Sequence, residues 1–201
     1  MRFPVHAASP AAALTLLCGG CGPVWSADTS PASHYVLDPA KSTLEFNFTQ
    51  AGAQNKGQFK RFTVAFDFAP DNLAASRLEV TVEVTSLDSG DAERDDTLRS
   101  AELFAVKKFA QARFSAAQIL KTATGYEAVG KLTIRDVTRD ARVPFAFRTA
   151  SEPGASAGYM NGKMTLKRLD YGVGQGDWQA TDQVGNDVGV SFVLRLTAAA
   201  H

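Results

Sequence analysis

From His34 to the end of the chain, apolar residues recur at every second position. Leu44, Phe46 and Phe48 alternate with Glu45 and Asn47; Val64, Phe66 and Phe68 alternate with Ala65 and Asp67; Leu78, Val80, Val82 and Val84 alternate with Glu79, Thr81 and Glu83. Neighbouring side chains of a strand point to opposite faces, so each run predicts a strand with one apolar and one polar face. Pro70-Asp71-Asn72 is a turn signal between the second and third run. The pattern fails over residues 86–110, a charged stretch in which Asp91 can cap a helix, Glu93 sits in its first turn, and Leu98, Ala101 and Ala105 fall at helical spacing. A loop and a short helix over residues 91–104 are therefore expected to close one end of the sheet, with Leu98 and Phe104 packed onto it. Alternation then returns, in Phe114 and Ala116 running toward Leu120, in residues 126–134, in Val143, Phe145 and Phe147, in Met160, Gly162, Met164 and Leu166, and in Val188, Val190, Phe192, Leu194 and Leu196.

About eight strands, each with one clean apolar face, fit a closed antiparallel barrel or a sandwich, an all-β fold with one short capping helix. A soluble barrel turns the apolar faces inward; an outer-membrane barrel turns them to lipid. The charged central insert and the lack of an aromatic residue at the C-terminus favour the inward arrangement. An eight-stranded barrel has an interior just wide enough to be filled by side chains or to hold one small ligand. The expected lining of an elongated apolar cavity is Phe46, Phe48, Phe66, Phe68, Phe145, Phe147, Gly162, Met164 and Phe192. The same pattern also fits a core filled solid by these phenylalanines, because periodicity does not register a void.

The chain has 201 residues, 45% of them hydrophobic and 21% charged, enough for one domain with a sizeable core. Acidic and basic residues balance at 21 each, and no basic stripe supports a nucleic-acid partner. The N-terminus has the form of an export signal: Arg2, an apolar run over residues 11–18, then small residues ending in Val24-Trp25-Ser26-Ala27. The expected organisation is a signal over residues 1–27, a polar linker over 28–33 and one barrel over 34–201, located in the periplasm. No transmembrane span is expected in the mature chain. Cys18 and Cys21 both fall inside the signal, so their C-x-x-C spacing leaves with it; anchoring as a lipoprotein through Cys21 is the alternative.

Catalytic and metal-binding residues are not evident. The three histidines are His6 in the signal, His34 at the domain edge and His201 at the last position, and neither H-E-x-x-H nor G-x-S-x-G occurs. The acidic run over residues 88–96 lacks calcium-loop spacing and reads as a solvated turn. Gly172, Gly174 and Gly176 lack the strand-to-helix setting of a dinucleotide site and read as a bend or bulge.

Several segments, in order, resemble the YceI family of periplasmic lipid-binding barrels. They are Tyr35-Val36-Leu37-Asp38-Pro39-Ala40-Lys41-Ser42, Gly57-Gln58-Phe59-Lys60-Arg61-Phe62, residues 94–104 (RDDTLRSAELF), residues 130–138 (GKLTIRDVT), and Arg168-Leu169-Asp170-Tyr171-Gly172. The resemblance spans residues 35–198. It implies a lipocalin-like eight-stranded barrel that binds a polyisoprenoid or a quinone-type amphiphilic lipid, with no cofactor other than such a bound lipid and no catalytic residue. Lys41, Gln50 and Thr97 stand where the family often has histidine, Asp136 where it has glycine and Ala110 where it has proline, which bears on the choice of head group. The expected partner is thus an amphiphilic lipid, with a homodimer left open; a stress-related interaction protein with a filled barrel is the alternative.

Overall fold

The computed structural model describes residues 31–152 and 155–199. The expected signal and the first linker residues lie outside that range. Eleven strands and one α-helix follow in order: β1 Ser33–Leu37, β2 Thr43–Gln50, β3 Ala53–Phe59, β4 Phe62–Phe68, β5 Arg77–Glu83, β6 Leu87–Asp88, α1 Ala92–Arg99, β7 Gln111–Thr122, β8 Gly125–Ile134, β9 Val137–Glu152, β10 Ala155–Lys167 and β11 Val184–Ala198. Eight of the strands form a closed antiparallel ring, β1-β4-β5-β7-β8-β9-β10-β11, with β11 returning to β1. The other three prolong members of that ring. β1 pairs with the end of β11 (Leu37 opposite Leu196), and β2 with its earlier part, from Thr43 opposite Val193 to Gln50 opposite Val184. In the same way β3 prolongs β4, pairing with β2, and β6 prolongs β5, pairing with β3.

Local chemistry accounts for the break between β1 and β2. Pro39 carries no N–H for a ladder, and a 3₁₀ turn over Pro39–Lys41 is capped by the Asp38 carboxylate, which accepts from Ala40 N at 3.2 Å. Ser42 Oγ donates to the Asp38 carbonyl at 2.7 Å and accepts from Arg195 N at 3.0 Å. The Arg195 guanidinium pairs with Asp38 at 2.6 Å, clamping the kink to β11.

The alternation sorts as expected. Arg77, Glu79, Arg113, Ser115, Lys131 and Arg142 are exposed on the outside, while Phe46, Phe48, Val64, Phe66, Phe68, Leu78, Phe114 and Phe145 are buried within. Strand β3 (AQNKGQF) has no such pattern. Its inward Gly57 is bare because the Phe46 ring fills the space a side chain would take.

Helix α1 is held by polar bonds rather than by an apolar stripe. Asp91 caps it, accepting from Arg94 N at 3.0 Å. Buried Asp95 accepts from Ser89 N at 2.8 Å and Ser89 Oγ at 2.7 Å, and Arg99 donates to the Leu87 carbonyl at 2.6 Å. The helix stops at Arg99, and the rest of the 91–104 segment is turn. Ala101 is exposed in a turn and Ala105 is left-handed (φ 48°), so their helical spacing was coincidental. The Glu102 carbonyl accepts from Gly174 N (2.9 Å) and Gln175 N (2.8 Å), and Arg135 donates to the Leu103 carbonyl. These bonds stitch the capping segment to the residue 168–183 connection and to the β8–β9 turn.

Candidate functional site

The barrel interior is divided in two. The half away from α1 is filled by an aromatic cluster around Phe66, which is 0% exposed. Its ring lies 5.0 Å from Phe68 and 5.2 Å from Phe147, and Phe68 meets Phe147 at 4.9 Å and Tyr126 at 5.0 Å. Most of these pairs are edge-to-face, the arrangement the ring quadrupole favours.

The half toward α1 is hollow. It holds a cavity of about 230 Å³ whose walls are almost wholly apolar. Phe46 and Phe48 stand on the β2 side, Met164 on β10 and Phe192 on β11, while Leu98 and Phe104 close the capped end. Leu132, Met164, Val188, Val190 and Phe192 are only partly buried although they face inward, because no protein atoms meet them across the void. Strand period and capping bonds together produce the site: the strands aim apolar chains inward, and α1 with its loop lies across that end.

Of the nine residues expected to line a cavity, four do so: Phe46, Phe48, Met164 and Phe192. Phe66, Phe68, Phe145 and Phe147 instead belong to the packed half. Gly162 lies between the two, where an added Cβ would fall 2.5 Å from Phe192 Cζ and closer still to the Pro144 carbonyl. A larger residue there would strain the wall rather than fill the void. Tyr171, Val173 and Trp178 also line the cavity, from a connection without strand periodicity. Their only sequence signal was the Arg168–Gly172 turn motif and an isolated tryptophan in a glycine-rich loop.

Few polar groups border the cavity. Gln50, Arg94 and Thr97 lie toward the α1 end, and the charged residues on the wall are arginines, Arg94, Arg113 and Arg168, with no acid among them. The Arg113 side chain is exposed on the outer face. Arg168 is 5% exposed and donates to four carbonyls: Gly185 (3.0 Å), Val173 (3.0 Å), Ala180 (3.2 Å) and Val184 (2.8 Å). No carboxylate lies within salt-bridge distance of it among the described residues, and burial pulls its pKa below the ordinary arginine value. Gly174 is left-handed (φ 113°) and its missing Cβ leaves room for this guanidinium, so the glycine-rich bend serves Arg168. Burial pushes the Tyr171 phenol up, against a smaller opposing effect of Arg139. An arrangement of this kind takes up apolar chains by exclusion of water and can offer donors to an acceptor group at one end.

Comparison with known proteins agrees with this geometry. The family model described as "YceI-like domain" matches residues 35–196. A protein named UPF0312 from Serratia proteamaculans is 34% identical over 158 residues, covering 74% of this chain and 80% of its own. Among solved structures, Burkholderia cenocepacia BcnA superposes with a TM-score of 0.73 at 30% identity, covering 79% of this chain and 98% of its own. A domain from Saccharophagus degradans described as polyisoprenoid-binding superposes with a TM-score of 0.59 at 17% identity, covering 82% of this chain and 98% of its own; at that identity the likeness is one of fold.

Proposed function

This chain belongs to the YceI family, and from that premise we propose that its barrel holds one molecule of an amphiphilic lipid with an isoprenoid-type chain, in the periplasm, and performs no chemistry on it. The observation that carries the reading is the apolar cavity of about 230 Å³. For comparison, an apolar cavity of ~150 Å³ engineered into another protein is enough to take up benzene. Each methylene moved from water into such a site gains about 0.8 kcal/mol before the cost of ordering the chain. In this reading the chain contacts Phe46, Phe48, Met164 and Phe192. The head group lies near Gln50 and Arg94, whose N–H groups suit a quinone carbonyl or another oxygen acceptor, with Thr97 alongside, its hydroxyl donated to the Glu93 carbonyl. The fold shared with the polyisoprenoid-binding domain of Saccharophagus degradans supports the ligand class, and the signal-like N-terminus supports the compartment.

Organic extraction of protein purified from the periplasmic fraction, followed by mass spectrometry, tests both parts. The expected result is a prenyl-chain lipid at near one per protein, on a chain that has lost residues 1 to about 27. A lipid-free protein that also fails to take up added prenols would refute lipid binding and favour the interaction-module alternative. A chain recovered whole in the cytoplasm would refute the compartment.

A further inference from the structure

The ladder between β9 and β10 runs from Ala155 opposite Glu152 to Gly162 opposite Phe145 and stops there. Both strands continue. Val137–Pro144 of β9 pairs only with β8, and Lys163–Lys167 of β10 pairs only with β11. No backbone hydrogen bond joins these two segments among the described residues. Pro144 stands where the strands part and has no N–H to give a ladder. Alternate backbone groups on each edge therefore face the seam without a ladder partner and are left to water. At its far end Arg139 Nε donates to the Asp170 carbonyl at 2.6 Å, the one hydrogen bond found across the seam among the described residues. Val143, Met164 and Leu166 line the cavity directly behind it, and Tyr171 packs with Leu166, Val137 and Leu98 of α1. Apolar side chains, not a ladder, close the wall at this place.

We infer that the β9–β10 seam is the door through which the lipid passes sideways into and out of the cavity, with the Arg139–Asp170 bond as its latch. The inference rests on the lipid-binding reading and adds the route to the same site. The other seams around the hollow half are held more firmly. Ladders join β7 to β8, β8 to β9, β10 to β11, β11 to β2 and β2 to β3. Between β6 and β7 the wall is covered by the α1 segment, tied at both ends where Arg99 donates to the Leu87 carbonyl (2.6 Å) and Val84 N to the Ala110 carbonyl (2.9 Å). Parting any laddered pair breaks a run of backbone bonds and leaves each group unsatisfied against an apolar interior. Parting β9 from β10 above Gly162 breaks one side-chain bond and separates Leu166 and Tyr171 from Val137 and Leu132, and the entering chain replaces those apolar contacts.

The test is the rate of geranylgeraniol uptake and release by delipidated protein, followed by the fluorescence of Trp178 on the cavity wall. Two changes outside the cavity push the door in opposite directions. Arg139→Ala removes the latch, and the loss of one hydrogen bond corresponds to about two- to ten-fold in the opening equilibrium. Uptake and release should both rise by that factor, with Kd unchanged. Arg142 on β9 and Thr165 on β10 are exposed on the outer face, one on each edge of the seam. Cysteines at both, bridged by a short bis-maleimide, should bring both rates close to zero, while either single-cysteine protein treated alike should keep wild-type rates. Thermal unfolding checks that each protein is folded. Rates unmoved in folded Arg139→Ala, or in the bridged protein, would overturn the door while leaving lipid binding intact. Failure to take up any prenol would instead overturn the lipid reading, and the door with it.

Discussion

The two halves of the barrel should answer differently to the same substitution. Phe66→Ala removes the most enclosed ring of the packed half, one that meets Tyr35 (6.3 Å), Phe68 (5.0 Å), Phe145 (5.8 Å) and Phe147 (5.2 Å). Phenylalanine-to-alanine changes in cores cost about 3–5 kcal/mol, more where the surroundings cannot collapse. Four interlocked neighbours hold this site open, and each aromatic pair adds about 0.5–1.5 kcal/mol beyond area, so the expected loss is at the upper end, about 4–5 kcal/mol. Phe192→Ala in the ligand-free protein removes a ring that already faces a void on one side, and should cost about 2 kcal/mol. Urea unfolding measures both. With a slope of ~2 kcal/mol per molar, the midpoints should fall by about 2 M and about 1 M respectively. A Phe192→Ala loss as large as that of Phe66→Ala would refute the division of the interior into a packed and a hollow half.

Three further outcomes follow from particular contacts. Arg168→Ala leaves four carbonyls of the 173–185 segment without their donor and should cost at least about 3 kcal/mol, measured by thermal unfolding; wild-type stability would show that these bonds do not hold the loop. Asp95→Ala frees α1 from Ser89 at a cost of about 1–3 kcal/mol and should speed amide exchange in Ala92–Arg99 and lipid release, with β8 and β9 unaffected. The Tyr171 phenol has its pKa raised in the folded state, so the stability it contributes is complete below the unfolded value of about 10 and is lost as pH rises through the folded one. Titration of tyrosinate absorbance in Tyr171→Phe against wild type should accordingly remove a late-ionising component; an unchanged late phase would place that component elsewhere.

A two-residue period is a property of the backbone, so the inward faces of β2, β4, β5, β9 and β11 could be read directly from residues such as Phe46, Phe66, Val80, Phe145 and Phe192. Capping chemistry is equally local, and Asp91 marks the start of α1 because its carboxylate meets an N–H three residues on. Strand β3 escaped because Phe59 is the single apolar side chain on its inward face, Gly57 before it being emptied by a ring from the neighbouring strand, and the end of α1 escaped because Ala101 and Ala105 match a helix in spacing without belonging to one. The aromatic residues show the same limit at the site. Phe46 and Phe66 carry identical alternation in sequence, yet one borders a void and the other is enclosed by four rings. What separates them is which residues of distant strands face them across the interior: Tyr35, Phe145 and Phe147 meet Phe66, while Phe46 borders open space. That arrangement is a matter of register across strands far apart in the chain, and it comes into being only when β11 closes on β1 and β2.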